Sequence, residues 1–269
     1  MLQLAIECSG MHGSIAILDG ADTIKHVGLP TDRSSVQSLA ATVQSLIDHL
    51  GRSPDFISVT HGPGSFTGLR VGITTAKMLG LAWSLPIVAV DTLQVLAYQI
   101  VHRHAAPGQL IAVPVINAFR RQVFTSAWLA RPDATIVPLS QAHVVDAEIW
   151  VDDPMGSGLL EGDLATGGHA HGHATLCQVS PSDRNDALAT SLISVGGPGL
   201  EVYRPSVPPP SPSPNPGRPT IQIVEGVNPD AQWVGRIGWQ LFQAGQTLSP
   251  ETLVANYVRA SAAEEKISK

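Results

Sequence analysis

Short apolar runs separated by small and polar residues open the chain. Residues 2–8 are almost entirely apolar, Ser9-Gly10-Met11-His12-Gly13 follows, and residues 14–18 form a second apolar run before Asp19-Gly20. Apolar runs separated by glycine-rich turn residues are typical of adjacent strands. With a third candidate strand at about 23–29, the pattern predicts that the chain opens with a β-meander.

The pattern then changes to a helical period. Apolar residues recur at i, i+3, i+4 and i+7 through residues 36–50, Ser34 and Gln37 have capping-box spacing, and Gly51 is a suitable end. Beyond it, the expected elements are a strand at 56–60, a helix at 65–83, a strand at 86–90 and a helix from about 92 to 102. Alternating strands and helices predict a sheet with parallel pairs.

The segment H-R-H-A-A-P-G-Q (102–109) separates this half from a second one. Residues 110–117 are apolar, residues 122–129 favour strand, and residues 230–244 have the pattern of a helix. We therefore predict an α/β protein with two lobes, at 1–105 and 106–269. The segment 140–200 has no clear period.

A proline tract interrupts the second lobe. Eight of the fifteen residues at 205–219 are proline, which excludes regular helix or sheet and predicts an extended loop or spacer. A proline-rich ligand for an aromatic groove is the alternative.

Composition narrows the function classes. The chain has 269 residues, of which 43% are hydrophobic and 14% charged, so a large core is expected. The net charge of −6 makes the chain a poor autonomous binder of RNA phosphates, because such binding relies on many Lys and Arg contacts. Cys8 and Cys177 do not make a disulfide framework, and no signal peptide or membrane span is evident, so a cytoplasmic location is expected.

The most informative segment begins at His61 and ends at Lys77. Its glycines have neither the spacing of a Walker loop nor that of G-x-G-x-x-G. The residues at the start of the predicted helix fit a helix cap by Ser65 as well as they fit an anion-binding site. Small residues recur every fourth position along the predicted helix, at Gly64, Gly68, Gly72, Ala76 and Gly80.

An interior glycine costs about 0.8–1.0 kcal/mol relative to alanine, so another element is expected to approach this face closely. That element is either the first helix of the same lobe or a helix of another protein. Phe66, Leu69, Ile73 and Ala76 form a neighbouring apolar row.

Other candidate chemistry is weaker. His169, His171 and His173 alternate, as metal ligands on a strand would, but their surroundings are rich in glycine. No G-x-S-x-G motif supports a serine nucleophile. Glu7 and Asp19, on the first hairpin, are the low-priority candidates for a nucleotide contact.

Residues 61–93 (HGPGSFTGLRVGITTAKMLGLAWSLPIVAVDTL) resemble the TsaB (YeaZ) family. Residues 4–20 (LAIECSGMHGSIAILDG) are similar to that family's opening hairpin, and residues 113–124 (VPVINAFRRQVF) to the start of its second lobe. Pro250, Tyr257 and Arg259 loosely resemble its C-terminal P-x-Y-x-R region.

The resemblance implies the two-lobed fold of the actin-like ATPases (ASKHA, ribonuclease H-like). It also implies a non-catalytic scaffold subunit of the assembly that makes threonylcarbamoyladenosine in tRNA. The expected partners are a TsaD-like catalytic subunit and a TsaE-like ATPase, with tRNA bound only through the complex, ATP used by the complex, and no cofactor or metal held by this chain. A homodimer of the isolated chain is a further expectation.

The expected partner interface lies on the predicted helices at 34–50 and 65–83. Its residues are Ser65, Phe66, Thr67, Gly68, Leu69, Arg70, Gly72, Ile73, Ala76 and Lys77. Gly68 and Gly72 are expected to permit close approach, so Gly72→Leu is predicted to block pairing while the isolated chain still folds.

The sequence departs from the family at several positions. The family usually has Asp where Glu7 stands, His near Ser35, and Asp where Asn117 stands, and a Gly-Glu pattern is replaced at 120–122. Two alternative functions stay open: a nucleotide-dependent kinase or ATPase using Glu7, Asp19 and Asn117, and a metal-dependent, M22 peptidase-like hydrolase using the histidines at 169–173.

Overall fold

A computed structural model describes residues 1–30, 35–103, 109–133, 135–154, 192–205 and 220–258. The chain divides into two compact units. Among the described residues, unit 1 contains Met1–Val95 and Asn228–Tyr257, and unit 2 contains those between Leu96 and Val227. The histidines at 169–173, and the proline tract after Pro205, lie outside the described residues.

Unit 1 is built on a mixed five-stranded sheet of order β3-β2-β1-β4-β5. Its strands are β1 (Leu2–Glu7), β2 (Ser14–Asp19), β3 (Asp22–Gly28), β4 (Phe56–Gly62) and β5 (Ile87–Asp91). The meander β1-β2-β3 is antiparallel, whereas β1, β4 and β5 run parallel. The helices in this part of the chain are α1 (Ser35–Leu50), α2 (Phe66–Trp83) and α3 (Thr92–Arg103). These elements confirm the predicted order.

The two faces of β1 explain why all its residues are buried. Leu2, Leu4 and Ile6 share a core with the apolar faces of α1 and α2. On the other face, the Gln3 amide donates to the carbonyl of Gly235 at 3.0 Å. A strand that is covered on both faces has no side exposed to water, so β1 lacks the alternation of buried and exposed residues that a half-exposed strand would have.

The helix that covers this second face comes from the C-terminal part of the chain. This helix, α5 (Ala231–Gln243), packs against β1 and β2. A Cβ at Gly238 would lie 2.7 Å from Ser58 Cβ, so α5 lies very close to the sheet. The structure therefore places Asn228–Tyr257 in unit 1, whereas the sequence prediction put everything after residue 105 in the second lobe.

Unit 2 opens with antiparallel strands in the segments expected at 110–117 and 122–129, and it forms a seven-stranded sheet. Its elements are β6 (Leu110–Phe119), β7 (Gln122–Thr125), β8 (Trp128–Ala130), β9 (Ile136–Pro138), β10 (His143–Asp146), α4 (Ala147–Asp152), β11 (Leu192–Gly196) and β12 (Ile221–Val224). The main order is β10-β7-β6-β11-β12, and β8 pairs with β6 and β9. The single strand expected at 122–129 is two strands, because β7 and β8 pair with different stretches of β6.

Among the described residues, no helix is both long and apolar enough to cross a bilayer.

Candidate functional site

The start of α2 is formed by its own capping residue. Ser65, the N-cap, accepts a hydrogen bond from the Gly68 amide at 3.2 Å. At the other end, Ser84 is left-handed (φ 55°) and its amide bonds back to the Gly80 carbonyl. The predicted cap and the predicted helix are confirmed, and the cap satisfies an amide that an anion would otherwise bind.

The glycine face of α2 packs on the chain's own first hairpin. A Cβ at Gly64 would lie 2.5 Å from the Ser9 carbonyl oxygen, and one at Gly72 would lie 3.1 Å from Cys8 Cβ. A Cβ at Gly68 would overlap the Cys8 carbonyl oxygen. The close approach that the stripe predicted is therefore made by the end of β1, and not by α1 or by another protein's helix.

Three residues of the expected interface belong to the core of unit 1. Leu69 is 1% exposed, and Ile73 and Ala76 are also buried. All three pack in the cluster that contains β1 and α1 side chains. The interface assigned to them, as to Gly72, is thus inaccessible in the folded chain, because the apolar row faces the sheet.

The opposite face of α2 carries an exposed stripe. Its members recur at i, i+3 or i+4 and are Thr67, Arg70, Thr74, Met78 and Leu81. We call these five residues the outer stripe. Met78 is 66% exposed and Leu81 57% exposed. Phe66, beside it, is 41% exposed. Apolar side chains adjacent on a helix surface and open to water mark a surface suited to a protein partner.

The C-terminal segment 248–257, here called the strap, runs along one side of α2. Its first residue, Leu248, exchanges backbone hydrogen bonds with Ile87 of β5 at 2.7 and 2.9 Å. Leu253 is buried in the core of unit 1, and the Asn256 amide donates to the His61 carbonyl at 2.7 Å. The strap is thus anchored at both ends and in the middle.

Two cations of α2 hold the strap. Lys77 Nζ donates to the carbonyls of Leu253 at 3.1 Å and Glu251 at 3.4 Å. Arg70 Nε donates to the Tyr257 hydroxyl at 3.3 Å, and its guanidinium lies 3.8 Å from the centroid of the Phe66 ring. The rings of Phe66 and Tyr257 are 5.4 Å apart. Lys77, expected to contact a partner, therefore binds the chain's own backbone.

Sequence reasoning missed this role of the strap. The signal available was the P-x-Y-x-R resemblance, because Pro250 and Tyr257 both contact α2. Pro250 Cγ lies 2.9 Å from where a Cβ at Gly80 would stand. The last member, Arg259, lies outside the described residues.

His61, at the end of β4, is buried beneath the strap. Burial lowers the pKa of its imidazole to about 4, and a hydrogen bond to the Val254 backbone opposes this effect. The ring is therefore neutral at pH 7. Its hydrogen bond to the strap gives it a structural role at the base of α2.

Glu7 ends β1 in a closed environment. Its Oε1 accepts hydrogen bonds from the Ser9 amide at 2.6 Å and from the Ser9 hydroxyl, while the buried Oε2 has no hydrogen-bond partner among the described residues. Burial raises the Glu7 pKa to about 7, and the negative charge of Asp230 adds to the effect. A buried carboxyl that is protonated in part at neutral pH is poorly suited to hold a metal-bound phosphate.

Asp19 is at the other end of the hairpin from Glu7. In the β1–β2 register, Asp19 pairs with Leu2 and Glu7 pairs with Ser14. Asp19 Oδ1 lies 2.7 Å from the Met1 amino group. The antiparallel register separates the two acids by about 17 Å of strand, so they do not form one nucleotide contact.

Metal-ligating side chains do not gather in the described part of the chain: no three His, Cys, Asp or Glu residues come together there. Asn117, in unit 2, uses its side-chain oxygen to accept a hydrogen bond from the Phe119 amide at 2.8 Å.

Comparison with known proteins shows what this chain is similar to. A family model described as "TsaD: tRNA N6-adenosine threonylcarbamoyltransferase" matches residues 30–131. The chain is 36% identical to the tRNA threonylcarbamoyladenosine biosynthesis protein TsaB of Bacillus subtilis (strain 168), over 48% of this chain and 55% of that protein. Against TsaB of Escherichia coli (strain K12), identity is 32% over 41% of this chain and 48% of that protein. Over the matched region, the chain is similar to TsaB proteins.

The chain spans about half the length of the curated TsaB relatives it matches. Solved structures extend the likeness to the whole fold. YeaZ from Pseudomonas aeruginosa superposes with a TM-score of 0.63 at 18% identity, covering 96% of this chain and 100% of that one. The predicted two-lobed fold, with a mixed sheet in each lobe, is thereby confirmed as the fold of the solved YeaZ protein.

Proposed function

We propose that this chain is a non-catalytic subunit of the assembly that forms threonylcarbamoyladenosine in tRNA. In this proposal it pairs with a TsaD-like catalytic protein and aligns it for transfer to tRNA. A TsaE-like ATPase joins the complex, ATP is used by the complex, and tRNA is bound through the complex. The support is the similarity to TsaB proteins together with the geometry of α2.

The observation that carries the pairing is the outer stripe of α2. The face behind it is fully used inside unit 1, so the stripe is the side of the helix that remains for a partner. Met78 and Leu81 present apolar side chains one turn apart, and these side chains lose contact with water when a helix packs on them.

The match to the TsaD model supports the choice of a TsaD-like partner. That match spans residues 30–131, which include both α1 and α2. A TsaD-like protein is therefore expected to present a homologous pair of helices. Two homologous surfaces can pair around an approximate two-fold axis, as two identical ones do around an exact axis.

The accessory role is supported by the state of Glu7. The carboxyl is sealed from solvent and bonded to Ser9, and Asp19 is far along the hairpin. The kinase or ATPase alternative required these two acids around one phosphate, and the hairpin register does not support that arrangement. The hydrolase alternative depends on histidines that lie outside the described residues.

The test is co-purification with the TsaD-like protein of the same organism. We expect Met78→Asp to weaken the complex at least ten-fold, which corresponds to about 1.4 kcal/mol, because a charge would be desolvated in the interface. Melting of the isolated variant should match the wild type, since the side chain is exposed. Ile149→Asp, at a position 58% exposed on α4 in unit 2, is the matched control and should pair normally.

Reconstitution tests the role of the complex. Transfer to tRNA by the TsaD-like protein and the ATPase should require this chain. Normal pairing of Met78→Asp would reject the interface, and full tRNA modification without this chain would reject the scaffold role.

The same surface predicts the behaviour of the isolated chain. An apolar stripe that fits a homologous helix can also fit a second copy, so a weak homodimer is expected. Sedimentation of the wild type and of Met78→Asp should show a concentration-dependent dimer only for the wild type, and the TsaD-like protein should displace the second copy.

A further inference from the structure

The β6–β7 hairpin of unit 2 has an unusual tip. Phe119, Arg120 and Arg121 all have left-handed backbone, with φ values of 58°, 54° and 60°. Two-residue hairpin turns of this kind normally contain Asn-Gly or Asp-Gly, because large L-residues are disfavoured at positive φ. Three consecutive large residues occupy the conformation here, although small ones would suit it better.

The tip is firmly held despite this strain. The Phe119 amide donates to Asn117 Oδ1 at 2.8 Å, where the pairing register shifts. The Arg121 carbonyl accepts from the Ala147 amide at 2.8 Å, and the Arg121 guanidinium forms an ion pair with Glu148. Backbone strain held in place by surrounding contacts is characteristic of functional positions.

The side chains of the tip face water. Phe119 is 69% exposed, and both arginines are exposed. An exposed aromatic ring followed in the turn by two arginines is a combination that suits unpaired nucleotides, since bases stack on the ring and phosphates contact the cations.

We propose that this hairpin tip contacts RNA directly. Phe119 stacks on an unpaired base of a single-stranded loop, and Arg120 and Arg121 approach the neighbouring phosphates. The inference rests on the proposed function, which brings a tRNA to the complex, and it adds a contact made by this chain itself. Because the net charge is −6, the tip contributes to RNA binding within the complex rather than by the isolated chain.

The side chains of the tip itself favour RNA over a protein partner, whereas Asp146 and Glu148, exposed acids on the adjoining β10–α4 segment, oppose it by repelling phosphates. A protein hot spot is surrounded by contacts that exclude water, whereas a base stack needs only one face of the ring. The Arg121–Glu148 pair is exposed, so exchanging it for a phosphate costs little.

The first test is steady-state kinetics with the reconstituted complex and an unmodified tRNA transcript. Phe119→Ala should raise the KM for tRNA roughly 5- to 150-fold with kcat nearly unchanged, as expected for loss of one base stack. Phe119→Trp should restore the KM, because indole stacks at least as well. Ile149→Ala, at another exposed apolar position, should leave both constants unchanged.

The arginines are tested by salt dependence. Arg120→Gln and Arg121→Gln should each reduce by about one the magnitude of the slope of log K against log salt concentration, where K is the association constant of the complex for tRNA. The double variant Arg120→Asn with Arg121→Gly carries residues that the turn favours, so it should fold normally and still bind tRNA less tightly.

A photo-crosslinking side chain at position 119 identifies the occupant. Crosslinking to tRNA supports the proposal, and crosslinking to a protein subunit, or to nothing, overturns it. If the wild-type complex assembles and modifies tRNA while Phe119→Ala retains the wild-type KM, the RNA contact alone is rejected. If the complex does not assemble or modify tRNA, the proposed function and this inference both fail.

Discussion

At the scale of single residues, burial shifts the pKa values of ionisable groups in unit 1 in the direction that favours their neutral forms. Burial raises the pKa of Glu7 to about 7 and that of Asp91 to about 6, and it lowers the pKa of His61 to about 4. Asp91 caps α3 by accepting from the Gln94 amide at 3.0 Å. These groups serve the hairpin, the start of a helix and the strap, and they make stability depend on pH.

The effect of Glu7 on stability has a definite sign. Between pH 4.5 and about 7 the native carboxyl keeps a proton that the unfolded chain releases. The contribution of Glu7 to the free energy of unfolding therefore falls by about 3 kcal/mol as pH rises through this window, and it stays constant above pH 7. Asp91 likewise lowers the free energy of unfolding as pH rises from 3.8 to about 6. His61 has the opposite effect and raises it as pH rises from about 4 to 6.5.

Glu7→Gln isolates the first of these effects. Glutamine retains an oxygen for the Ser9 amide and does not ionise. The free energy of unfolding of the variant should therefore lack the fall with rising pH that Glu7 causes. Urea unfolding of both proteins from pH 4.5 to 8 measures the difference. We expect the variant to gain stability relative to the wild type as pH rises to 7, and parallel curves would contradict the assignment.

At the scale of elements, α2 is a helix with three differently used sides. Its glycine face lies on β1, its outer stripe faces water, and the strap covers a third side through Lys77 and Tyr257. The glycine spacing correctly predicted a close approach but not the element that makes it. The earlier expectation for Gly72→Leu changes accordingly, because a leucine there would overlap Cys8 and disturb the fold itself.

Gly68→Ala tests the packing of the glycine face. Alanine favours helix by about 1 kcal/mol, but its Cβ would overlap the Cys8 carbonyl oxygen. We expect a net destabilisation of at least about 2 kcal/mol in chemical unfolding. Thr74→Ala, an exposed position on the same helix, should change stability by less than about 0.5 kcal/mol. Equal stability of Gly68→Ala and the wild type would show that β1 does not lie so close.

Lys77→Met tests the strap. Methionine preserves the length of the side chain but removes the donors to the Leu253 and Glu251 carbonyls. Hydrogen exchange of the amides at 253–257 should accelerate, while exchange in β1 and β4 stays at the wild-type rate. Lys77→Arg should retain much of the protection, and unchanged strap exchange in Lys77→Met would reject the anchoring role.

At the scale of the whole molecule, the chain builds its first unit from both ends of the sequence. The apolar face of α5, which follows unit 2 along the sequence, packs behind β1 and β2 and completes the core of unit 1. The strap then continues from α5 to α2. Folding of unit 1 therefore requires contacts between residues more than two hundred positions apart, as between Gln3 and Gly235.

A truncated chain tests this arrangement. A fragment of residues 1–105, the lobe expected from sequence, lacks α5 and the strap and should show no cooperative thermal transition by circular dichroism. Joining residues 228–257 to it through a flexible linker of about 20 residues should restore the transition. Cooperative unfolding of the 1–105 fragment alone would show that α5 is dispensable.

Local pattern determined the elements. The alternation and turns at 2–28, the helical period at 36–50 and the cap at Ser65 involve residues close in sequence, so backbone propensity and capping define them without knowledge of the fold. The resemblance to the TsaB family could be recognised at 61–93 for the same reason. The bounds of α2 and the order of the first eight elements follow from such signals.

Tertiary structure alone decided how these elements are used. The sequence does not reveal that Cys8, and not a partner, fills the space beside Gly68. It also does not reveal that Lys77 binds the backbone of the strap, or that Asp19 lies far from Glu7. These facts depend on strand register and on pairing between distant segments, which the composition of each segment leaves open. The sequence therefore singled out α2, and tertiary packing determined which of its sides is buried and which is exposed.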